Sequence, residues 1–248
     1  MSDFNYAILD DRAHRPWPMP EAPWVMTQTW HDLLFAHWRV DAQALRRIVP
    51  PSFPIDTFDG AAWIGVVPFR MTNVGPRFMP SLPLASAFPE LNVRTYVRVG
   101  DKPGVYFFSL AAASSAAVAA ARSLLRLPYY TARISVDRES VIDYSSRRIW
   151  GPAATLRVSY SSEGQPSPPA AGSLEYFLTE RYCLYAIDHF RRPYRLEIHH
   201  LPWLLQRAHA EFAANTMTLP IGIDLDGPPL LHFSKRQDMV CWMPKGLE

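Results

Sequence analysis

Hydrophobic and polar side chains alternate along several stretches of the chain, which is the pattern of β-strands that bury one face. The clearest stretch is residues 90–99. One of its faces carries Leu91, Val93, Thr95 and Val97, and the other carries Glu90, Asn92, Arg94 and Tyr96. Other runs rich in aliphatic and aromatic residues predict further strands at residues 28–40, 62–70, 104–112, 131–136, 154–160, 182–187, 195–200 and 230–242.

Helical patterns are short and few. Residues 41–49 begin with Asp41 as an N-cap, carry Leu45 and Ile48 at helical spacing, and stop at Pro50. An alanine-rich helix is predicted at residues 115–125, and a one-turn helix at residues 173–178. The chain is therefore dominated by strands.

Proline marks the breaks between these elements. Prolines at positions 16, 18, 20 and 23 predict that residues 1–24 form an extended arm that wraps the domain or a neighbouring subunit. A second cluster predicts a surface loop at residues 164–172. We find no internal repeat and no long linker, so residues 25–248 are predicted to form a single domain.

Many strands with few helices predict an α+β fold. We expect a large, mostly antiparallel sheet that closes into a barrel or packs as a sandwich, with a few peripheral helices. The hydrophobic content of 48%, with 13% aromatic residues, is enough for the large core that such a fold needs.

Charge and cysteine content exclude several classes of function. A formal charge of +2, with basic residues scattered along the chain, does not predict a nucleic-acid surface. Two cysteines, Cys183 and Cys241, cannot build a disulfide framework or a cysteine-rich zinc site. The acidic N-terminal residues do not fit a secretory signal, and no apolar run is long enough to span a membrane as a helix. We expect a cytoplasmic protein with no nucleic-acid or membrane partner.

The histidines do not form a recognisable metal motif. His199 and His200 are adjacent in a predicted strand and so point to opposite faces. A mononuclear site built from His31 or His37 with His199 or His232 remains an alternative, without a ligand spacing to support it. We predict no metal site and no cofactor.

The polar face of residues 90–99 offers chemistry of its own. If it lines the interior of a barrel, Arg94 would bind a substrate carboxylate and Glu90 would move a proton, since burial raises the pKa of a carboxyl group. The alternative is a solvated face on which Glu90 and Arg94 form an ordinary ion pair.

Two segments resemble the acetoacetate decarboxylase-like superfamily. They are HWRVDAQALRRIVPPSFPID at residues 37–56 and GVYFFSLAAASSAAVAAARSLLRLPYY at residues 104–130. The pieces WVMTQTW, FPELNVRTYV and GVYFFSL are similar to a branch of that superfamily known as a domain of unknown function. The resemblance covers nearly the whole chain and implies its barrel-like fold, a ligand cavity and a homo-oligomeric assembly.

The resemblance also implies a departure in chemistry. Enzymes of the superfamily form a Schiff base on a lysine, and the place of that lysine and its neighbour is held here by Tyr129 and Tyr130. The chain has three lysines, Lys102, Lys235 and Lys245, and Lys235 is the one whose position in a predicted strand allows it to point into a cavity. Tyrosine cannot form an imine, so we predict chemistry that does not use lysine.

Only some of the other active-site residues of the superfamily have a counterpart here. Its glutamate before the central strand matches Glu90, whereas its arginine on the first strand falls near His31. The position of a second glutamate of the superfamily falls near Trp63 or Gly65, where this chain has no glutamate. Arg122, in the predicted alanine-rich helix, is expected to be structural.

These observations give one main prediction of function and two alternatives. The main one is a lyase or proton-transfer enzyme acting on a small organic acid or carbonyl compound. The alternatives are a ligand-binding protein or sensor without catalysis, and a structural or interaction protein with a filled interior. The predicted catalytic residues are Glu90, Tyr129 and Tyr130, and the predicted substrate-binding residues are Arg94, Tyr96, His31 and Ser109.

Overall fold

A computed structural model describes residues 3–77, 87–113, 127–188 and 190–247. Twelve strands and two α-helices are present in these residues, together with 3-10 helices at Tyr6–Leu9 and Leu219–Ile221. The strands are β1 Met26–Val40, β2 Ala62–Pro76, β3 Phe88–Val99, β4 Lys102–Ala112, β5 Tyr129–Arg138, β6 Ile142–Arg148, β7 Thr155–Ser167, β8 Cys183–Ile187, β9 Pro193–His200, β10 Leu205–Asn215, β11 Leu230–Cys241 and β12 Lys245–Gly246. The helices are α1 Ala42–Ile48 and α2 Leu174–Thr179.

The two α-helices begin where the sequence predicts. Asp41 accepts a hydrogen bond from the main-chain N–H of Gln43 at the start of α1. The Ser173 hydroxyl oxygen likewise accepts from the main-chain N–H of Tyr176 at the start of α2. The predicted helix at residues 115–125, with Arg122, lies outside the described residues. The predicted loop at residues 164–172 begins later than expected, because β7 continues to Ser167.

The strands close into two rings that share a wall. The first ring consists of β1, β2, β3, β4, β8, β9 and β11, and it closes through the β4–β8 and β9–β11 pairs. The second ring runs from β1 through β11, β10, β7, β6 and β5 back to β4, β3 and β2. The β4–β5 and β4–β8 pairs are parallel and the other pairs of described strands are antiparallel. The predicted mostly antiparallel, barrel-like α+β fold is confirmed.

Strand β3 lies in the shared wall and is buried on both faces. Leu91 and Val93 pack into the core of the second ring, together with residues such as Leu156. Glu90 and Asn92 point into the first ring, since successive side chains alternate between the two faces. The polar face of β3 therefore lines an interior and not a solvated surface.

Tyrosines help to fill the second ring. The Tyr144 hydroxyl donates to the main-chain oxygen of Glu90 at 2.8 Å, and the Tyr160 hydroxyl donates to that of Asp32 at 2.8 Å. Both tyrosine side chains are fully buried. Because their hydroxyls are hydrogen-bonded, they avoid the free-energy cost of a buried polar group without a partner.

The N-terminal arm was predicted to be extended, but it contains the 3-10 helix Tyr6–Leu9, which Asn5 caps by accepting from the main-chain N–H of Ala7. The arm packs against β9. The His14 imidazole donates from Nε2 to the main-chain oxygen of His200 at 2.8 Å, and Trp17 Nε1 donates to Glu197 at 2.9 Å. Arg15 donates to the main-chain oxygen of Ile198 at 2.6 Å. In the described part of the chain, the arm thus covers the outside of the first ring.

Candidate functional site

The first ring encloses a cavity of about 100 Å³. Its walls are largely apolar, with Leu33, Val67, Phe69, Leu110 and Leu196 among the lining residues. This volume has room for several water molecules or one small organic molecule. A few polar side chains interrupt the apolar wall, and their arrangement defines the candidate site.

Glu90 is the titratable carboxyl group of the cavity wall. It is only 3% exposed, and the Tyr129 hydroxyl donates to its Oε2 atom at 2.8 Å. Burial raises the pKa of Glu90 to about 8, although the hydrogen bond from Tyr129 acts in the opposite direction. The carboxyl group therefore holds its proton at neutral pH. Burial and the neighbouring Glu90 also raise the pKa of Tyr129 well above its usual value.

Arg94 lies two positions beyond Asn92 on the same face of β3. None of the described carboxylates forms an ion pair with it. Its Nη2 atom donates to the main-chain oxygen of Leu178 at 3.3 Å, and its Nε atom is buried with no hydrogen-bond partner among the described residues. The guanidinium is thus a positive charge with unused donors at the edge of the cavity.

The other ionisable groups around the cavity are balanced or neutral. Arg181 is buried and donates to Asp56 at 2.7 Å, so its charge is compensated. Burial lowers the pKa of His200 to about 4, and this imidazole is therefore neutral near pH 7. Arg94 is accordingly the uncompensated charge among the described lining residues.

Three buried polar atoms of the cavity wall have no hydrogen-bond partner among the described residues. They are Asn92 Oδ1, Arg94 Nε and Trp203 Nε1. Buried polar groups in folded proteins are nearly always paired, so each of these atoms is available to form a hydrogen bond with a molecule bound in the cavity. Their presence in one cavity is typical of a binding site for a small polar molecule.

The structure brings together some of the predicted site residues and separates others. Glu90, Arg94 and Tyr129 line one cavity. Tyr130 does not, because adjacent residues of β5 face opposite sides, and its ring lies 3.8 Å from the Arg148 guanidinium instead.

His31 and Ser109 are also outside the cavity wall. Trp30 and Leu110, their neighbours, line the cavity, so alternation turns His31 and Ser109 away from it. His31 Nε2 lies 2.7 Å from Thr72 Oγ1, and burial lowers the pKa of the imidazole to about 4. Ser109 is buried on the opposite face of β4.

Tyr96 does not line the cavity but lies beside Arg94. Its ring is fully buried, and its hydroxyl contacts His37 and the main-chain oxygen of Leu178. Tyr96, predicted to bind the substrate, is therefore a neighbour of Arg94 and does not belong to the cavity wall.

All three lysines lie within the described residues, and none lines the cavity. Lys235, the lysine that the sequence placed in a position to enter a cavity, extends outward and donates to Asp32 at 2.8 Å. Lys102 donates to Glu197 at 2.9 Å, and Lys245 is exposed.

Sequence reasoning missed several polar lining residues, including Arg181, His200 and Trp203. They belong to β9 or to connections outside the strands, and ring closure brings them to the cavity. No local spacing in the sequence indicates that these residues meet.

In the part of the chain that the structure describes, no three His, Cys, Asp or Glu side chains are grouped to hold a metal ion. The described helices include none that is long and apolar enough to cross a membrane.

Solved structures with a similar overall fold identify the class of fold to which this chain belongs. The enduracididine biosynthesis enzyme MppR, complexed with pyruvate, matches with a TM-score of 0.63 at 12% identity, over 95% of this chain and 93% of its own. Acetoacetate decarboxylase of Legionella pneumophila matches with a TM-score of 0.62 at 12% identity, over 97% of this chain and 95% of its own. The protein therefore has an acetoacetate decarboxylase-like fold.

Sequence comparison gives the family within this class. The chain belongs to the DUF2071 family of uncharacterized conserved proteins, whose family model matches residues 27–238. The uncharacterized protein YqjF of Bacillus subtilis (strain 168) is 46% identical over 226 residues, which cover 90% of this chain and 93% of YqjF. The predicted membership of a domain-of-unknown-function branch with this fold is confirmed.

Proposed function

We propose that the protein binds a small organic acid or carbonyl compound in the cavity of the first ring and catalyses lysine-independent proton transfer or lyase chemistry on it. One observation carries the proposal. A protonated Glu90 and an uncompensated Arg94 face the same largely apolar cavity. The pair combines a proton donor with a site for one negative charge.

The chemistry follows from these two groups. Arg94 binds the carboxylate of the ligand through its free donors. As a C–H bond next to the carbonyl group breaks and its proton passes to a water molecule, Glu90 transfers its own proton to the carbonyl oxygen, which gives the enol. The Tyr129 hydroxyl stabilises the Glu90 carboxylate that remains. In the reverse step the enol hydroxyl returns its proton to Glu90 and a water molecule supplies the proton on carbon. No lysine takes part, because none of the three lysines lines the cavity.

Similarity to known structures supports the choice of ligand. MppR has been solved with pyruvate bound, and acetoacetate decarboxylases share its fold. At 12% identity this likeness extends to the fold alone, so the ligand class rests on the chemistry of Glu90, Arg94 and the unpartnered cavity atoms.

A thermal-shift screen tests binding. Oxo acids, aromatic acids and simple carbonyl compounds are compared on the wild type, Glu90→Gln and Arg94→Met. A ligand at about 100 times its dissociation constant should stabilise the fold by roughly 2.7 kcal/mol, or about 5 to 10 °C. Arg94→Met should abolish the shift with acids. The exposed Arg133, on the same strand as Tyr129, provides the matched control Arg133→Met, which should keep it.

Proton exchange tests catalysis on any compound that binds. In D₂O, the wild type should exchange the hydrogens next to the carbonyl group of the ligand, as followed by ¹H NMR, and Glu90→Gln should not. Binding without exchange or turnover would support a sensor instead. If no compound shifts the unfolding temperature of the wild type, the proposal is wrong and the structural alternative gains support. Homo-oligomeric assembly stays a prediction, and sedimentation velocity would test it.

A further inference from the structure

We propose that His37 is a positioning residue which, through the Tyr96 hydroxyl, holds the Arg94 guanidinium in the orientation that binds the carboxylate of the ligand. This inference rests on the proposed function, because that function assigns the negative charge of the ligand to Arg94. His37 does not line the cavity. It is fully buried on β1 and contacts the hydroxyl of Tyr96, the neighbour of Arg94.

Arg94 is held by two aromatic rings and one main-chain oxygen. Its guanidinium carbon lies 5.4 Å from the centre of the Phe35 ring and 5.9 Å from that of Tyr96, within the range of cation–π attraction. The Leu178 oxygen, near the end of α2, accepts from Arg94 Nη2 at 3.3 Å and from the Tyr96 hydroxyl at 2.9 Å. Arg94 and Tyr96 therefore meet at one acceptor, and a displaced Tyr96 would release the arginine.

The direction of the hydrogen bonds gives His37 its role. A tyrosine hydroxyl has one proton, and a main-chain oxygen can only accept. The contact with Leu178 uses the proton of Tyr96, so His37 Nε2 must be the donor in its 2.6 Å contact with the Tyr96 oxygen. His37 thus carries a proton on Nε2. The Tyr96 hydroxyl is therefore fixed by two hydrogen bonds, since it donates to the Leu178 oxygen and accepts from His37 Nε2.

Strand register brings these residues together. His37 on β1 pairs with Gly65 on β2, and Gly65 pairs with Arg94 on β3, so the three positions form one row across the sheet. A Cβ atom at position 65 would lie 3.0 Å from His37 Cδ2 and 3.5 Å from Arg94 Cγ. The missing side chain of Gly65 leaves space for the imidazole and the arginine stem over the same patch of main chain.

A neutral His37 also preserves the charge of the site. Burial lowers the pKa of His37 well below its usual value, and the nearby Arg94 and His232 act in the same direction. A protonated imidazole would place a second cation beside Arg94. With His37 neutral, the cavity keeps a single uncompensated positive charge that matches one carboxylate.

Paired probes separate positioning from general damage to the fold. Dissociation constants are measured for pyruvate and for its uncharged methyl ester, with the wild type, His37→Leu and Tyr96→Phe. We expect pyruvate to bind roughly 3- to 10-fold more weakly to both variants, the effect of one hydrogen bond, and the ester to bind unchanged. Tyr185→Phe is the matched control, because Tyr185 also donates to a main-chain oxygen, that of Lys102 at 2.8 Å, but does not line the cavity. It should change neither constant.

A measurement without ligand tests the proton assignment. The ¹⁵N NMR spectrum of the His37 imidazole should show a proton on Nε2 and none on Nδ1 from pH 6 to 8, and Tyr96→Phe should alter it. A proton on Nδ1, or wild-type affinity for pyruvate in Tyr96→Phe and His37→Leu, would overturn the inference. If Arg94→Met also keeps full affinity for pyruvate, the proposed function fails as well. If Arg94→Met loses binding while the other two variants keep it, the positioning role alone fails.

Discussion

Replacing Glu90 by glutamine should remove a large part of the pH dependence of the stability of the protein. The pKa of this carboxyl group rises from 4.5 to about 8 in the folded state because of burial. Between these values the folded state holds a proton that the unfolded state lacks. The stabilisation is therefore fully present below pH 4.5 and is lost as the pH rises through 8.

The size of the effect follows from the two pKa values. Between pH 5.5 and 8.5, the difference in the ionisation of Glu90 between the unfolded and folded states should lower the free energy of unfolding by about 3 kcal/mol. Glutamine has nearly the same shape as the protonated carboxyl group and its amide oxygen can accept from Tyr129, so the variant should fold without this slope.

Urea denaturation of the wild type and Glu90→Gln across this pH range measures the difference. Contributions of His31, His199 and His200, whose pKa values are lowered to about 4, are common to both proteins and cancel. Glu211→Gln, an exposed glutamate on β10, is the matched control and should follow the wild type. Parallel pH profiles for wild type and Glu90→Gln would refute a protonated Glu90, and with it the assignment of the proton donor.

Three further predictions test neighbouring parts of the site. Tyr129→Phe should raise the pKa of Glu90 above about 8, because the hydroxyl that stabilises the carboxylate is lost, and an upward shift in the pH profile of unfolding would show it. Gly65→Ala should destabilise the fold by roughly 1 to 3 kcal/mol in urea denaturation, since its Cβ would lie 3.0 Å from His37; an unchanged midpoint would contradict the packing argument. Borohydride reduction with acetoacetate should leave the protein mass unchanged, whereas a trapped adduct on Lys235 would contradict lysine-independent chemistry.

Local patterns in the sequence predict much of the fold. The alternation along β3 and the capping residues of α1 and α2 depend on neighbours in the chain, and the structure has these elements close to the predicted positions. Strands β6, β10 and the two-residue β12 were missed. Strand β6 places Ser146 and Arg148 at buried positions, which interrupts its apolar alternation. Strand β10 does alternate, with Ala208, Ala210 and Phe212 facing the core, and this signal was overlooked because two of the three side chains are only alanine.

The candidate site was predictable only where one strand carries it. Glu90, Arg94 and Asn92 share a face of β3, and period-two geometry is sufficient to group them. The contribution of Trp203 and the role of His37 depend on ring closure and on the row of paired residues across three strands. Such long-range contacts leave no spacing in the sequence.

The shared wall of the two rings has a consequence for how this fold can diversify. Five strands, β1 to β4 and β11, each serve both rings, with one face toward the cavity and the other toward the packed core. Substitutions on the cavity face can alter the chemistry while the opposite face of the same strand keeps the scaffold intact. Proteins that share this architecture at 12% identity can thus exchange a catalytic group without rebuilding the framework that holds it.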